Sequence, residues 1–373
     1  VTRSPHHMLA TFVAAAAAAP HRLIIDTDIA AAAAPQRLIL DTDIGGGGCN
    51  DVDDVIAIAI ANALADNGEA ELLAVIQDTA PVKCAGAVSV LNHYYGRDDV
   101  PIGAYNVSTP GATLEMEDPL PYVPLLVEQF PSRIKNTSQA EDAVALYRRV
   151  LAAQPYRSVA ISSIGIHTNL AALLRSPPDD VSPLNGTALV AEKVSLLAVM
   201  GGKYPASKGN PECNVCGGLR NEHNHVVASA AAAYVAAHWP ASSFLLWSGF
   251  EVGFEVQSGG ARFQKCPVAT PSNPVRAAMV SYEGGTDMSR YSWDPLTTLV
   301  AVRTIARVPS VAACTQCNGT NSIDPESGNN AWVSGSAANQ TYLVLNNGTA
   351  AGEALDELLC QYPKRASQAT PVV

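Results

Sequence analysis

Five aspartates fall within fourteen positions of the stretch RLILDTDIGGGGCNDVDD, residues 37–54: Asp41, Asp43, Asp51, Asp53 and Asp54. An apolar run ending in DTD, a glycine-rich loop and then DVDD at a helix start would bring several carboxylates to one point. Gathered carboxylates repel and raise one another's pKa, which is costly unless a cation sits among them. Ligation by oxygen alone suits a hard divalent ion, and Ca²⁺ accepts roughly six to eight such ligands in flexible geometry. The alternative is an ordinary acidic helix start, in which Asp53 and Asp54 only complement the dipole; the strand-end DTD favours the cation. In this division Asp41 braces the loop and Asp51 caps the helix. Upstream, PHRLIIDTDIA (20–30) nearly repeats PQRLILDTDIG (35–45), but the first copy lacks a DVDD and cannot build the cluster.

The elements that must hold these residues alternate along the chain. RLILD (37–41), ELLAVIQD (71–78), VPIGAY (100–105), RSVAISSIG (157–165), KVSLLAVMGG (193–202) and SSFLLWSG (242–249) read as strands buried on both faces. Helical patterns lie between them at 53–66, 82–95, 139–153, 168–175 and 226–238. The expected class is α/β, a mostly parallel open sheet flanked by helices. Ligands of such sheets bind beyond the carboxyl ends of the strands, where Asp41, Asp78, Gly165 with Thr168, and Gly201 with Gly202 all fall. Past residue 308 the pattern changes to the turn-rich CTQCNGTNSIDPESGNN, then AWVSGS and TYLVLN as a hairpin, then a last helix at 350–361. We read 35–373 as one domain with 308–348 as a peripheral insertion, and 1–34 as an N-terminal extension, either a signal remnant or an extra strand.

Composition narrows the function. With 15% charged residues and a net charge of −11 over 373 residues, the chain lacks the basic footprint of a nucleic-acid binder. No apolar run reaches the roughly 20 residues of a membrane-spanning helix. Eight cysteines and six N-glycosylation sequons, at Asn106, Asn136, Asn185, Asn318, Asn339 and Asn347, favour a secreted glycoprotein with disulfides. CNVC (213–216) and CTQC (314–317) lie too far apart for a zinc ribbon, so disulfides are the better reading of them. His167 reads as a packed or capping residue, and His223 and His225 as loop residues near the mouth of the site.

Five segments in order resemble the inosine-uridine type nucleoside hydrolases: the strand running into DTD and DVDD, SIGIHTNLAALL (163–174), VMGGKYP (199–205), ECN (212–214) and SWDPLTTLVAV (292–302). The likeness spans about 36–306. It implies a nucleoside hydrolase fold and calcium-dependent hydrolysis of the N-glycosidic bond of ribonucleosides. By that resemblance Asp43, Asp54, Asp294 and the main-chain carbonyl of Thr168 hold Ca²⁺, and Asp43 is the general base on the attacking water. Asp53, Glu212 and Asn214, with Asn210 as a further candidate, bind the ribose hydroxyls. The sequence departs from the pattern in the longer GGGGCN loop, and in Trp293, which stands where the family often has a histidine and reads here as a platform for the base. Two other readings compete. One is a secreted, self-assembling structural glycoprotein on the same fold, a homo-oligomer joined through the extra N-terminal strand. The other is a haloacid-dehalogenase-like phosphatase, which LILDTD suggests and Gly45 opposes.

Overall fold

The strand that ends in the acidic cluster is the pivot of the fold. The computed structural model describes residues 34–46, 49, 51–106, 113–285, 287–335 and 339–365; the expected leader or extra strand at 1–34 lies outside them except for Ala34. In chain order the strands are β1 (Gln36–Thr42), β2 (Ala70–Gln77), β3 (Ile102–Ala104), β4 (Glu141–Asp142), β5 (Val159–Ile164), β6 (Val194–Met200) and β7 (Phe244–Ser248), then β8 (Gln257–Gly259), β9 (Ser289–Tyr291), β10 (Val311–Ala313), β11 (Gly319–Ile323), β12 (Asn330–Ser334) and β13 (Gln340–Leu345). The helices are α1 (Asp53–Asp66), α2 (Cys84–Tyr94), α3 (Tyr122–Gln129), α4 (Ala143–Ala152), α5 (Thr168–Arg175), α6 (Gly186–Lys193) and α7 (Cys213–Cys216), then α8 (Glu222–His238), α9 (Phe250–Phe254), α10 (Gly260–Gln264), α11 (Pro274–Glu283), α12 (Trp293–Arg303) and α13 (Gly348–Leu359).

A nine-stranded sheet runs in the order β10-β13-β7-β6-β5-β1-β2-β3-β4, and its neighbours are parallel except β10 with β13. From β1 the chain steps outward through β2, β3 and β4, then returns to place β5 on the other side of β1. That reversal is a topological switch point, the place where open parallel sheets open a crevice for a ligand.

Alternation along β1 assigns the layers. Leu38 and Leu40 join one core with α1, α12 and α13, while Ile39 joins the other with α4, α5 and α8, as the period of two in a strand requires. Twelve of the fourteen residues of α1 are buried, because this helix is covered by the sheet on one side and by α12 and α13 on the other. Its apolar residues run right round the cylinder, the pattern of a buried helix. Burial of each of Val55, Ile56, Ile58, Ile60 and Leu64 contributes about 1.5–3 kcal/mol, which overrides the weak helix propensity of the β-branched residues.

The structure alters some expectations. The helix expected over 139–153 gives its first residues to β4, which pairs with β3, and starts at Ala143 with the Asp142 carboxylate accepting the Ala145 N–H. The turn-rich C-terminal stretch does form an antiparallel hairpin, but its arms are β11 and β12. TYLVLN becomes β13 and joins the main sheet beside β7, since its alternating buried side chains are better covered there than on a peripheral ribbon.

Candidate functional site

Asp43 is the first residue beyond β1, where the chain turns back with the Gly46 N–H donating to its carbonyl at 2.9 Å. Thr42 just before it points to the α1 side and donates its hydroxyl to Asp54. Asp53 and Asp54 open α1, and Asp294 is in the first turn of α12. These two helices pack together, and the Asp294 N–H donates to Asp53 Oδ2 at 3.1 Å. One carboxylate oxygen from each of Asp43, Asp54 and Asp294 therefore falls within 4.8 Å of the others, all three buried. Gly165, just past β5, permits the approach from the side: a Cβ there would lie 2.5 Å from the Asp43 nitrogen and would collide with Asp78.

Burial first, then the charges of Asp54, Asp78 and Asp53, push the Asp43 carboxyl well above its usual range. Asp294 is raised by burial and by Asp53, Asp54 and Asp43. Burial takes Asp54 up to about 7 against the Thr42 hydrogen bond, which pulls it down. Two ionised carboxylates 4.8 Å apart repel by about 3–4 kcal/mol at an effective dielectric constant near 20. Asp43 Oδ2 has no hydrogen-bond partner, and among the described residues no ion pair reaches any of the three; the nearby Arg290 guanidinium is engaged by Asp51. This set of hard oxygen donors lacking a counter-charge fits a divalent cation.

Beside the three carboxylates opens a cavity of about 270 Å³, whose lining also includes Asp53, Glu212 and Asn214. Glu212 caps α7: its Oε1 accepts the Asn214 N–H at 3.0 Å, and its Oε2 accepts those of Gly202 at 3.1 Å and Val215 at 3.3 Å. Burial raises its carboxyl to about 7 although these N–H groups and Lys203 pull it down. Asn214 turns its amide nitrogen to the Met200 sulfur at 3.1 Å. Trp293 closes another side, its indole N–H donating to the Phe250 carbonyl at 2.8 Å and its ring centroid 5.3 Å from that of Phe250 and 5.1 Å from that of Tyr291. A larger groove of about 720 Å³ lies elsewhere, between the end of α2, the end of α3 and α11; the only acidic cluster suited to a metal among the described residues lies at the smaller cavity.

Other expected residues lie elsewhere. Asn210 is exposed and outside the cavity lining. Thr168 is buried at the start of α5 with its hydroxyl donating to the Asp78 carbonyl at 3.3 Å. Asp41 does not brace the loop, because it shares the face of Ile39 and accepts the Tyr147 hydroxyl of α4 at 2.5 Å. Asp51 serves the start of α1 from one residue outside the N-cap, accepting the Val52 N–H at 2.6 Å. Burial holds the His167 imidazole down at about 4, so it is neutral at physiological pH. His223 and His225 belong to the first turn of α8, not to a loop, and face the carbonyls of Thr113 and Cys216.

Sequence reasoning missed Lys203, Phe250 and the disulfide between Cys49 and Cys213, all of which line the cavity. The strand-end rule could have found the first two, since Lys203 follows β6 and Phe250 follows β7. The disulfide carries no such signal. Two further disulfides join Cys266 to Cys360 and Cys314 to Cys317, and Cys84 and Cys216 are buried free thiols.

Residues 38–347 match the sequence profile described as inosine-uridine preferring nucleoside hydrolase. Among solved structures, the chain is similar to a plant nucleoside hydrolase, with 18% identity, 88% of this chain and 99% of that one covered and a TM-score of 0.61. An inosine-guanosine nucleoside hydrolase gives 18% identity, coverages of 87% and 97% and a TM-score of 0.61. A purine-preferring ribonucleoside hydrolase from Gardnerella vaginalis gives 16%, 90%, 100% and 0.60. At these identities the likeness is one of fold. No curated protein sequence is matched.

Proposed function

The chain belongs to the inosine-uridine preferring nucleoside hydrolase family, and from that premise we propose that it hydrolyses the N-glycosidic bond of ribonucleosides with the help of Ca²⁺. The observation that carries this is the convergence of Asp43, Asp54 and Asp294, buried and without a counter-charge, on a cavity of nucleoside size. At about 270 Å³ the cavity lies just below the usual range of roughly 300–1,000 Å³ for small-molecule sites, which suits one sugar and one base.

Asp43, Asp54 and Asp294 would hold the ion, and family resemblance adds the main-chain carbonyl of Thr168, which is not part of the cavity lining. When bound, it would lower the pKa of a water molecule and hold it in place for attack. Asp43 then takes the proton of that water. Its raised pKa reflects burial and like charge, both of which a cation offsets. Asp53, Glu212 and Asn214 receive the ribose hydroxyls. Glu212 is locked for this by three backbone N–H groups, and a sugar lacking a hydroxyl would leave a buried acceptor unpaired. The surrounding carboxylates also stabilise the positive charge that develops on the sugar ring as the bond breaks. Trp293, its indole fixed by Phe250, offers a flat face to the base. We leave Asn210 out of this set because it is exposed and outside the lining.

The test is turnover of inosine, uridine and p-nitrophenyl riboside, with and without chelator, beside an Asp43→Ala variant. The proposal expects activity that chelator removes, Ca²⁺ restores and the variant lacks. Activity indifferent to chelator would refute the calcium mechanism, and no turnover of any riboside would refute the hydrolase reading. Secretion and N-glycosylation belong to the same proposal, supported by the three disulfides and by the exposure of Asn185, Asn318, Asn339 and Asn347. Secreted material whose mass does not change on treatment with an N-glycosidase would contradict the glycan assignment.

A further inference from the structure

When a glycosidic C–N bond breaks, its electron pair leaves with the base and must be met by a proton. The donors available in the cavity can be counted. Of the six lining carboxyls, Asp43, Asp54 and Asp294 gather around the cation position, Asp51 is paired with Arg290, Asp53 accepts the Asp294 N–H and Glu212 is held by backbone N–H groups. Cys49 and Cys213 are joined to each other, and the side chains of Met200, Pro211 and Phe250 carry no N–H or O–H. The Trp293 indole N–H is committed to the Phe250 carbonyl, and the Asn214 amide is turned to Met200. Glu212 faces three backbone N–H groups as their acceptor. Lys203 is left.

Its placement suits the task. Asn330 of β12 clamps the Lys203 backbone from both sides, accepting its N–H at 2.9 Å and donating to its carbonyl at 3.0 Å. The side chain is half-buried, and among the described residues its ammonium has no ion pair or hydrogen bond. Nζ stands 5.0 Å from the centroid of the Phe250 ring, which in turn packs on Trp293. The ammonium is thus beside the aromatic pair of the cavity, where a flat base would stack.

We propose that Lys203 is the leaving-group acid of this site. The assignment rests on the hydrolase reading above. As the C1′–N bond breaks, its electron pair goes to the base, which takes a proton from Nζ. The water oxygen bonds to C1′ and its proton passes to Asp43. Asp43 then gives its proton to solvent and solvent returns one to the amine of half-buried Lys203, so the net change is addition of one water.

Comparison of substrates tests this, because p-nitrophenolate departs as a stable anion while hypoxanthine leaves far better when protonated. In Lys203→Met the ratio of kcat for inosine to kcat for p-nitrophenyl riboside should fall by about 10²-fold or more, the usual contribution of a general acid. Lys203→Gln should reproduce that fall, with the thermal midpoint of each variant measured to show that it is folded. An unchanged ratio, whether both activities fall together or neither falls, overturns the assignment. A wild-type protein inactive even on p-nitrophenyl riboside would instead refute the hydrolase reading, and this assignment with it.

Discussion

Asp41 and Asp43 leave the same strand two residues apart, and both are buried carboxylates of raised pKa. Asp41 looks onto the α4 layer, where Tyr147 donates to it and Asp78 and Asn169 lie close. Each of the two keeps one carboxylate oxygen without a hydrogen-bond partner, but Asp43 stands past the end of β1 at the cavity, with Asp54 and Asp294 arriving from two helices. Burial and perturbed acidity are therefore common to both positions and do not separate a structural carboxylate from a functional one. What separates them is convergence on open space: one carboxylate closes a hydrogen bond inside a layer, while the other leaves room for something to be held.

The sharpest way to break this contrast is to neutralise each residue. Asp43→Asn should reduce kcat on inosine by about 10³-fold, the scale of a lost general base and metal ligand together, whereas Asp41→Asn should stay within about tenfold of wild type. Equal losses in the two variants would remove the distinction.

A smaller effect concerns pH. Asp41, Asp54 and Glu212 are all raised to about 7 by burial. A carboxyl whose folded pKa exceeds its unfolded value near 4 binds more protons when folded, so its contribution to stability is fully present below pH 4 and is lost as pH rises towards 7. The thermal midpoint of the metal-free protein should thus fall by several degrees between pH 5 and pH 8. Added Ca²⁺ should flatten much of that slope in the wild type and in Asp41→Asn but not in Asp43→Asn. A metal-free midpoint that rises over the interval would contradict the assignment of buried protonated carboxylates.

The smallest expected effect is that of Tyr147→Phe, which strips Asp41 of its hydroxyl donor and should cost about 1–3 kcal/mol of stability in denaturant titration. Turnover should be unaffected. A drop in kcat of tenfold or more would place the α4 layer in the machinery after all.

Much of the parallel sheet was legible because its strands are short apolar runs ended by turn residues; all six expected strands lie within a few residues of those observed. α1 was legible to the residue, since Asp53 and Asp54 mark its start. β4 is two residues long and held by register with β3, which no local pattern encodes. α3 has a proline among its first residues and is short, so its periodicity is faint. α11 did carry a signal, Asn273 as N-cap with Pro274 at N1, that was passed over. In the site, the strand-end aspartate and the acidic helix start were readable as local motifs. The approach of Asp294 was implied only by resemblance, because it depends on α1 and α12 packing together across 240 residues of sequence. Asn330, within the stretch 308–348, holds the backbone of the lining residue Lys203, a contact that only tertiary structure creates.

The disulfide from Cys49 to Cys213 joins residues 164 positions apart. It makes a covalent ring of the interval from the acidic loop to the Glu212 segment, and closing a ring of that length removes about 5 kcal/mol of chain entropy from the unfolded state in the simplest polymer treatment. Two edges of the cavity from distant parts of the chain are thus tethered before any ligand arrives, so a ligand meets an opening whose ordering cost has already been borne by folding. In a reducing solution that tether would be lost, and the two edges would be held by non-covalent contacts alone.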